Sequence, residues 1–254
     1  MLAIMMIPRD LIYEILCRVP VNKASIECGG IIIRAFNKLY LADYESLYDG
    51  NAAESDGRLE SFLTVDESQL FDSVNGLVCC TKSNQNIVLI FNPSTRKSIM
   101  LPVVPFDWQI SFDYCFDKHL CGFGYDHVND EYKIVKIALL YRSSILHDIM
   151  VIMYSFKTNS WTRIENVRLS KGVQFKERRG RFASGALYWP ATDMKEDNSC
   201  SVIVRFDLGL EQFGEFEASF EGKDIDLERL VAFEGSIHVS EYNSCGVDLS
   251  EIND

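Results

Sequence analysis

Residues able to do covalent or metal chemistry occur in this chain, but they do not fall into any spacing that such chemistry needs. His119, His127, His147 and His238 stand in separate segments without an H-x-x-x-H pair or Cys/His alternation, so no metal-ligand set can be assembled from sequence. The eight cysteines, at 17, 28, 79, 80, 115, 121, 200 and 245, include no C-x-x-C pair and read as small buried hydrophobes. Gly122-Phe123-Gly124 is a fragment of a dinucleotide loop, yet Tyr125, Asp126 and His127 follow where a helix would have to begin; a strand-end turn is expected instead. Neither G-x-S-x-G nor H-E-x-x-H occurs. The expectation is a non-catalytic protein with no cofactor and no metal. Lys176, Arg178, Arg179 and Arg181 form the densest basic run. Such runs are usually solvated loops or hairpin edges; the functional alternative is a dock for an acidic segment of a target protein.

The charge balance narrows the partners. Across 254 residues, 25 Lys and Arg stand against 37 Asp and Glu, a net charge of −12, which opposes general binding to nucleic acid or to anionic membranes. The opening MLAIMMI lacks a basic leader and is cut off by Pro8 and Arg9, so it is a poor secretory signal. No run approaches the roughly 18 apolar residues of a membrane span. With no disulfide framework and no permitted N-x-Ser/Thr sequon, a cytoplasmic or nuclear location is expected.

The elements that would position these residues change character along the chain. Ile7 to Val21, IPRDLIYEILCRVPV, predicts a short helix: Pro8 suits its first turn and Pro20 stops it. Leu11, Ile15 and Val19 form one apolar row and Ile12 with Leu16 the next, while Asp10, Glu14 and Arg18 match the helix dipole. A stripe this wide packs on its own domain or docks in a partner's groove. Residues 49–56, DGNAAESD, read as linker or exposed loop, and from about residue 70 the pattern becomes short strands bounded by turn formers.

Three of those stretches superpose, beginning at Ile87, Met150 and Val202. Each ends a strand in an aromatic residue, Phe91, Tyr154 or Phe206; seven positions on stand Ser98, Trp161 and Phe213, and ten positions on Leu101, Ile164 and Phe216. Turn formers lie between, so each unit predicts a hairpin. The preceding strands, from Gly76, Lys133, Gly185 and Gly235, start 57, 52 and 50 residues apart. A period near fifty is that of a kelch-like propeller blade, and Trp161 and Trp189 are expected in its core.

The ordered pieces N-G-L-V-C, F-N-P-S-T-R-K, L-P, G-F-G-Y-D, Y-K-I-V, Y-S-F-K-T-N-S-W, G-A-L-Y-W and V-R-F-D-L begin at Asn75, Phe91, Leu101, Gly122, Tyr132, Tyr154, Gly185 and Val204. This order resembles the F-box-associated domain of plant F-box proteins, and P-x-D-L-I-x-x-I-L-x-R-V-P-V at the start resembles the opening of an F-box. The resemblance implies a substrate receptor of an SCF-type ubiquitin ligase. Its partners would be a Skp-type adaptor, a cullin reached through that adaptor, and an unnamed target protein. The adaptor-facing positions it implies are Ile7, Pro8, Leu11, Ile12, Ile15, Leu16, Val19 and Pro20; no target-binding residue carries over. After Val21 the chain reads NKASIECGGIIIRAFNKLYL in place of the family's K-x-W segment, and it ends at EIND, earlier than the family pattern.

The expected architecture is mainly β with a short N-terminal helical segment. Residues 1–45 would be an incomplete F-box-like helical segment, 46–69 a linker, and 70–254 a C-terminally shortened F-box-associated β domain. That domain would be a kelch-like, partial β-propeller of about three antiparallel strand sets, fewer than the roughly four blades that closure takes. The alternative is a stand-alone, non-catalytic binding domain or a decaying F-box gene copy that cannot join a ligase.

Overall fold

The computed structural model describes residues 30–43 without 36–37, 60–64, 69–105 without 83–86, 93–94 and 96, 115–194 without 143–144, 166 and 171, and 199–252 without 218, 221–222, 225–229, 234 and 244–245. The helix expected at Ile7 to Val21, with its eight adaptor-facing positions, lies outside these residues. Two compact units divide the chain, Met1–Val104 and Pro105–Asp254.

In the first unit, β1 (Gly30–Ala35), β2 (Lys38–Asp43) and β3 (Glu60–Thr64) form an antiparallel sheet in that order. Residues 30–43 therefore correct the helical expectation for the end of the 1–45 segment. Ile31, Ile32 and Ile33 in succession favour extended backbone, and Gly29-Gly30 ahead of them disfavours a helix. β3 likewise falls where 46–69 was expected to be linker, paired to β2 from Lys38–Thr64 to Leu41–Glu60. The same unit holds a four-stranded meander, β4 (Gln69–Val74), β5 (Leu77–Lys82), β6 (Ile87–Asn92) and β7 (Lys97–Met100).

In the second unit, β8 (Cys115–Asp126), β9 (Glu131–Arg142), β10 (Ile145–Ser155) and β11 (Ser160–Ile164) make the next meander. The following sheet holds β12 (Val173–Phe175), β13 (Arg181–Ala183), β14 (Ala186–Met194), β15 (Ser199–Asp207) and β16 (Gln212–Glu217). β12 and β13 both pair with β14, at opposite ends, so they are two halves of one interrupted edge strand. Then come a small hairpin of β17 (Ser219–Phe220) with β18 (Lys223–Asp224), and a sheet of β19 (Leu230–Phe233), β20 (Ser236–Asn243) and β21 (Gly246–Ile252).

The three superposed stretches are the outer hairpins β6–β7, β10–β11 and β15–β16, and their registers coincide. Phe91 lies opposite Ser98, Tyr154 opposite Trp161, and Phe206 opposite Phe213. The seven-residue spacing thus marks a cross-strand pair, and in two of the hairpins it is aromatic, with ring centroids 5.1 Å apart for Tyr154 and Trp161 and 4.7 Å for Phe206 and Phe213. The third member of each repeat keeps the same offset. Leu101 donates its N–H to the Val88 carbonyl at 2.9 Å, and Ile164 and Phe216 lie opposite Val151 and Ile203.

A shared turn sets these registers. The side-chain oxygen of the residue closing each strand accepts backbone N–H groups from the loop: Asn92 from Thr95 (3.2 Å), Ser155 from Thr158 (3.2 Å), and Asp207 from Gly209 (2.9 Å) and Leu210 (2.8 Å). In the turn joining β8 to β9, Asp126 does the same for Val128 (2.9 Å) and Asn129 (3.1 Å). The last loop residue is left-handed at Asp130, Asn159 and Glu211, with φ of 54°, 54° and 57°. The inner hairpins use two-residue turns: Asn75-Gly76 (φ 50° and 78°) joins β4 to β5, and Ser184-Gly185 (φ 42° and 78°) joins β13 to β14. Both residues positive is the turn whose twist matches paired strands, and glycine takes its second position without steric cost.

Strand alternation buries both faces of the β12–β16 sheet. Leu187, Trp189, Ala191, Val202, Val204 and Phe206 pack against Leu120, Val135, Ile137, Val151 and Met153 of the β8–β11 sheet. The other parity, Ala186, Tyr188 and Ile203, packs with Leu230 of β19 and Ile237 of β20. Each fully buried Leu, Val or Phe contributes about 1.5–3 kcal/mol, gained only because a neighbouring sheet covers it. Serial stacking of antiparallel sheets is the propeller-like solution to that need.

Candidate target-binding surface

The seam between the β8–β11 and β12–β16 sheets is unusually close. A Cβ on Gly122 would lie 2.7 Å from Leu187 Cδ1, and one on Gly124 2.6 Å from Leu208 Cδ1 and Phe182 Cδ2. Gly122-Phe123-Gly124 is therefore mid-strand in β8, opposite Val135, Ile134 and Lys133, and not the expected turn. The glycines remove side chains where another sheet presses in. Trp189 fills the seam, fully buried as expected of it, whereas Trp161 is half-buried against Tyr154.

The seam fixes the basic run. Between Phe175, opposite Ala191, and Arg181, opposite Tyr188, residues 176–180 face only Trp189 and Pro190 on β14, so the edge strand bulges outward. The bulge is held on two sides. Lys176 donates its N–H to the Pro190 carbonyl at 2.9 Å; Cys121 of β8 donates to the Arg178 carbonyl and accepts from Gly180, both at 2.9 Å. Underneath, a Cβ on Gly180 would lie 2.5 Å from Trp189 Cζ2. Lys176, Arg178 and Arg179 are exposed; Arg181 is half-buried and paired with Glu177 at 3.3 Å. The four cations of the run thus separate into three at the surface and one drawn into the loop.

A second lock joins the same sheets at their turns. Lys133 Nζ sits 2.8 Å from Asp126 Oδ2 and reaches Glu211 Oε1 at 2.9 Å and the Leu208 carbonyl at 2.8 Å, with Glu131 at 3.7 Å. Burial alone would push the Asp126 carboxyl up, but hydrogen bonds from Lys133 and Asn129 outweigh it and hold the group at about 2. Burial would likewise push Lys133 down, and its bonds to Asp126 and Glu211 raise it instead. Nothing in residue spacing announces this network. Its trace is a lysine inside an apolar strand, Y-K-I-V-K-I, where an unpaired charge could not be buried.

Near that lock, a cleft of about 620 Å³ opens between β11 with the segment after it and the 210–213 corner, lined by Arg163, Ile164, Val167, Arg168, Leu210 and Phe213 among others. Its volume falls in the usual range for binding clefts. Ile164 and Phe213 are legible in sequence as repeat positions, but not as residues of a cleft.

Antiparallel meanders built on one repeated turn, with the β8–β11, β12–β16 and β19–β21 sheets of the second unit packed in series, define a β-propeller-like domain. The chain belongs to the F-box-associated beta propeller domain family, whose model matches residues 46–251. It is 30% identical over 201 residues to F-box protein CPR1 of Arabidopsis thaliana, covering 72% of this chain and 46% of that protein. F-box/kelch-repeat protein At3g23880 of the same plant is 28% identical over 189 residues, covering 73% and 48% respectively. The chain spans about half the length, or less, of these relatives.

Proposed function

We propose that this protein is a substrate-receptor subunit of an SCF-type ubiquitin ligase. Its N-terminal segment, Ile7 to Val21, docks on a Skp-type adaptor and so on a cullin, and the β domain holds a target protein. The observation that carries this reading is the family match over residues 46–251, joined to an F-box-like apolar stripe ahead of it. The receptor makes no covalent bond itself. It raises the effective concentration of target lysines near a ubiquitin-loaded enzyme, an advantage that depends on the geometry between the two docking points. A cytoplasmic or nuclear site of action goes with this role.

Co-purification of the full chain with a Skp-type adaptor tests the proposal. The double substitution Leu11→Asp with Ile15→Asp puts two charges into the stripe and is expected to abolish capture. Absence of capture by the unsubstituted chain at micromolar concentration sinks it. One observation favours the second reading, a stand-alone binding domain: β1 and β2 stand where further F-box helices would lie. That reading expects target binding without ubiquitin transfer.

A further inference from the structure

We propose that the bulge at residues 176–180 is a preformed dock for a short acidic peptide segment, the element by which this receptor engages its target; the inference rests on the receptor reading above. Two observations and one rule of arginine chemistry carry it. The bulge presents Lys176, Arg178 and Arg179 at the surface, while Glu177, the anion within the run, is turned to Arg181 at 3.3 Å. Its backbone is tied by hydrogen bonds to Pro190 on one side and Cys121 on the other, so little ordering entropy remains to be lost on binding. The guanidinium fork of arginine matches a carboxylate or phosphate oxygen pair.

The charge of the whole chain selects the ligand's length. With a net charge of −12, a long polyanion is repelled beyond the patch, whereas a peptide with a few acidic residues meets mainly the local cations within the Debye length of about 8 Å. A short acidic segment of a protein fits better than nucleic acid. Clustered Asp/Glu residues and phosphoserine offer the same chemistry.

Fluorescence anisotropy of the full chain with a labelled hexaglutamate peptide and with a phosphoserine peptide distinguishes these sources. Binding of at least one is expected, weakening with salt, and reversal by R178E with R179E should reduce affinity by about tenfold or more. Arg178→Lys with Arg179→Lys keeps the charge and should lose less. Unchanged affinity after reversal overturns the proposal, as does equal or tighter binding of a single-stranded oligonucleotide, or no binding of either peptide. Adaptor capture by the R178E/R179E chain, measured alongside, reads the receptor proposal separately: it should match the unsubstituted chain, and its absence in both would remove that proposal without touching the peptide result.

Discussion

Lys133 on β9 and Asp126 on β8 form an ion pair of 2.8 Å in which each side chain is 1% exposed. Glu211, 78 residues beyond Lys133, completes it from the next sheet. Removing two charges from water is unfavourable, and this pair offsets the loss through further hydrogen bonds: Asp126 also accepts from Val128 and Asn129, and Lys133 also donates to the Leu208 carbonyl. Through Glu211 and the Leu208 carbonyl, Lys133 ties its own sheet to the turn of the next one, beside the cleft that Glu211 helps to line.

Replacing Lys133 with Met should expose that dependence. It leaves Asp126 buried without its cation, and unfolding by urea is expected to show a loss of about 3–5 kcal/mol. Asp126→Asn added to Lys133→Met should restore part of it. Additive losses in the double variant would contradict the coupling.

The same pair sets an acid limit. Asp126 sits at about 2 in the folded chain against an ordinary 3.8, so the unfolded chain takes up the proton first as pH falls. Its contribution is complete above the ordinary value and disappears between about pH 4 and pH 2, on the order of 2 kcal/mol. Stability measured across that window should fall less steeply in Asp126→Asn; identical slopes would refute the assignment.

An alkaline limit follows from Tyr154, whose phenol is pushed up by burial to about 12. The folded chain keeps this proton where the unfolded chain loses it. Stability is full below the ordinary value of 10 and declines as pH rises toward 12. Tyr125, hydrogen-bonded to Asp130, is raised to about 12 as well, so ultraviolet titration should show late-titrating tyrosines of which Tyr154→Phe removes one.

Gly180→Ala tests the seam. The added methyl would meet Trp189 Cζ2 at 2.5 Å, against a ring that is fully buried and has little room to yield. A loss of about 1–3 kcal/mol is expected, with a smaller loss when Trp189→Leu is introduced in the same chain. Thermal unfolding of the single and double variants measures the coupling.

Ser98 occupies the repeat position held elsewhere by Trp161 and Phe213, exposed and opposite Phe91. Ser98→Trp should create the missing aromatic pair and stabilise the β4–β7 sheet by about 0.5–1 kcal/mol. Unchanged or lowered stability would mean that the shared register does not carry the same packing.

The hairpins are legible in the sequence because their determinants are local. A turn residue such as Asp207 meets its partners two and three residues away, and an aromatic meets its cross-strand partner at a spacing that the loop length sets. Family membership is legible for the same reason, since it rests on the order of these local units. Where local signals conflict, the expectation fails: three consecutive isoleucines prevail over the helical context expected for residues 30–43.

What only the tertiary structure decided are the meetings between distant segments. Lys133 reads as a misplaced charge until the 208–211 turn reaches it, and Gly122-Phe123-Gly124 reads as a turn until Leu187 and Leu208 occupy the space above it. The basic run is visible as composition. That Cys121 clamps Arg178 and Gly180, leaving three cations at the surface and Arg181 engaged, depends on segments far apart in the chain lying side by side. Sequence spacing determines what each hairpin is; burial of both sheet faces determines which hairpins touch, because a sheet cannot cover its own apolar surface.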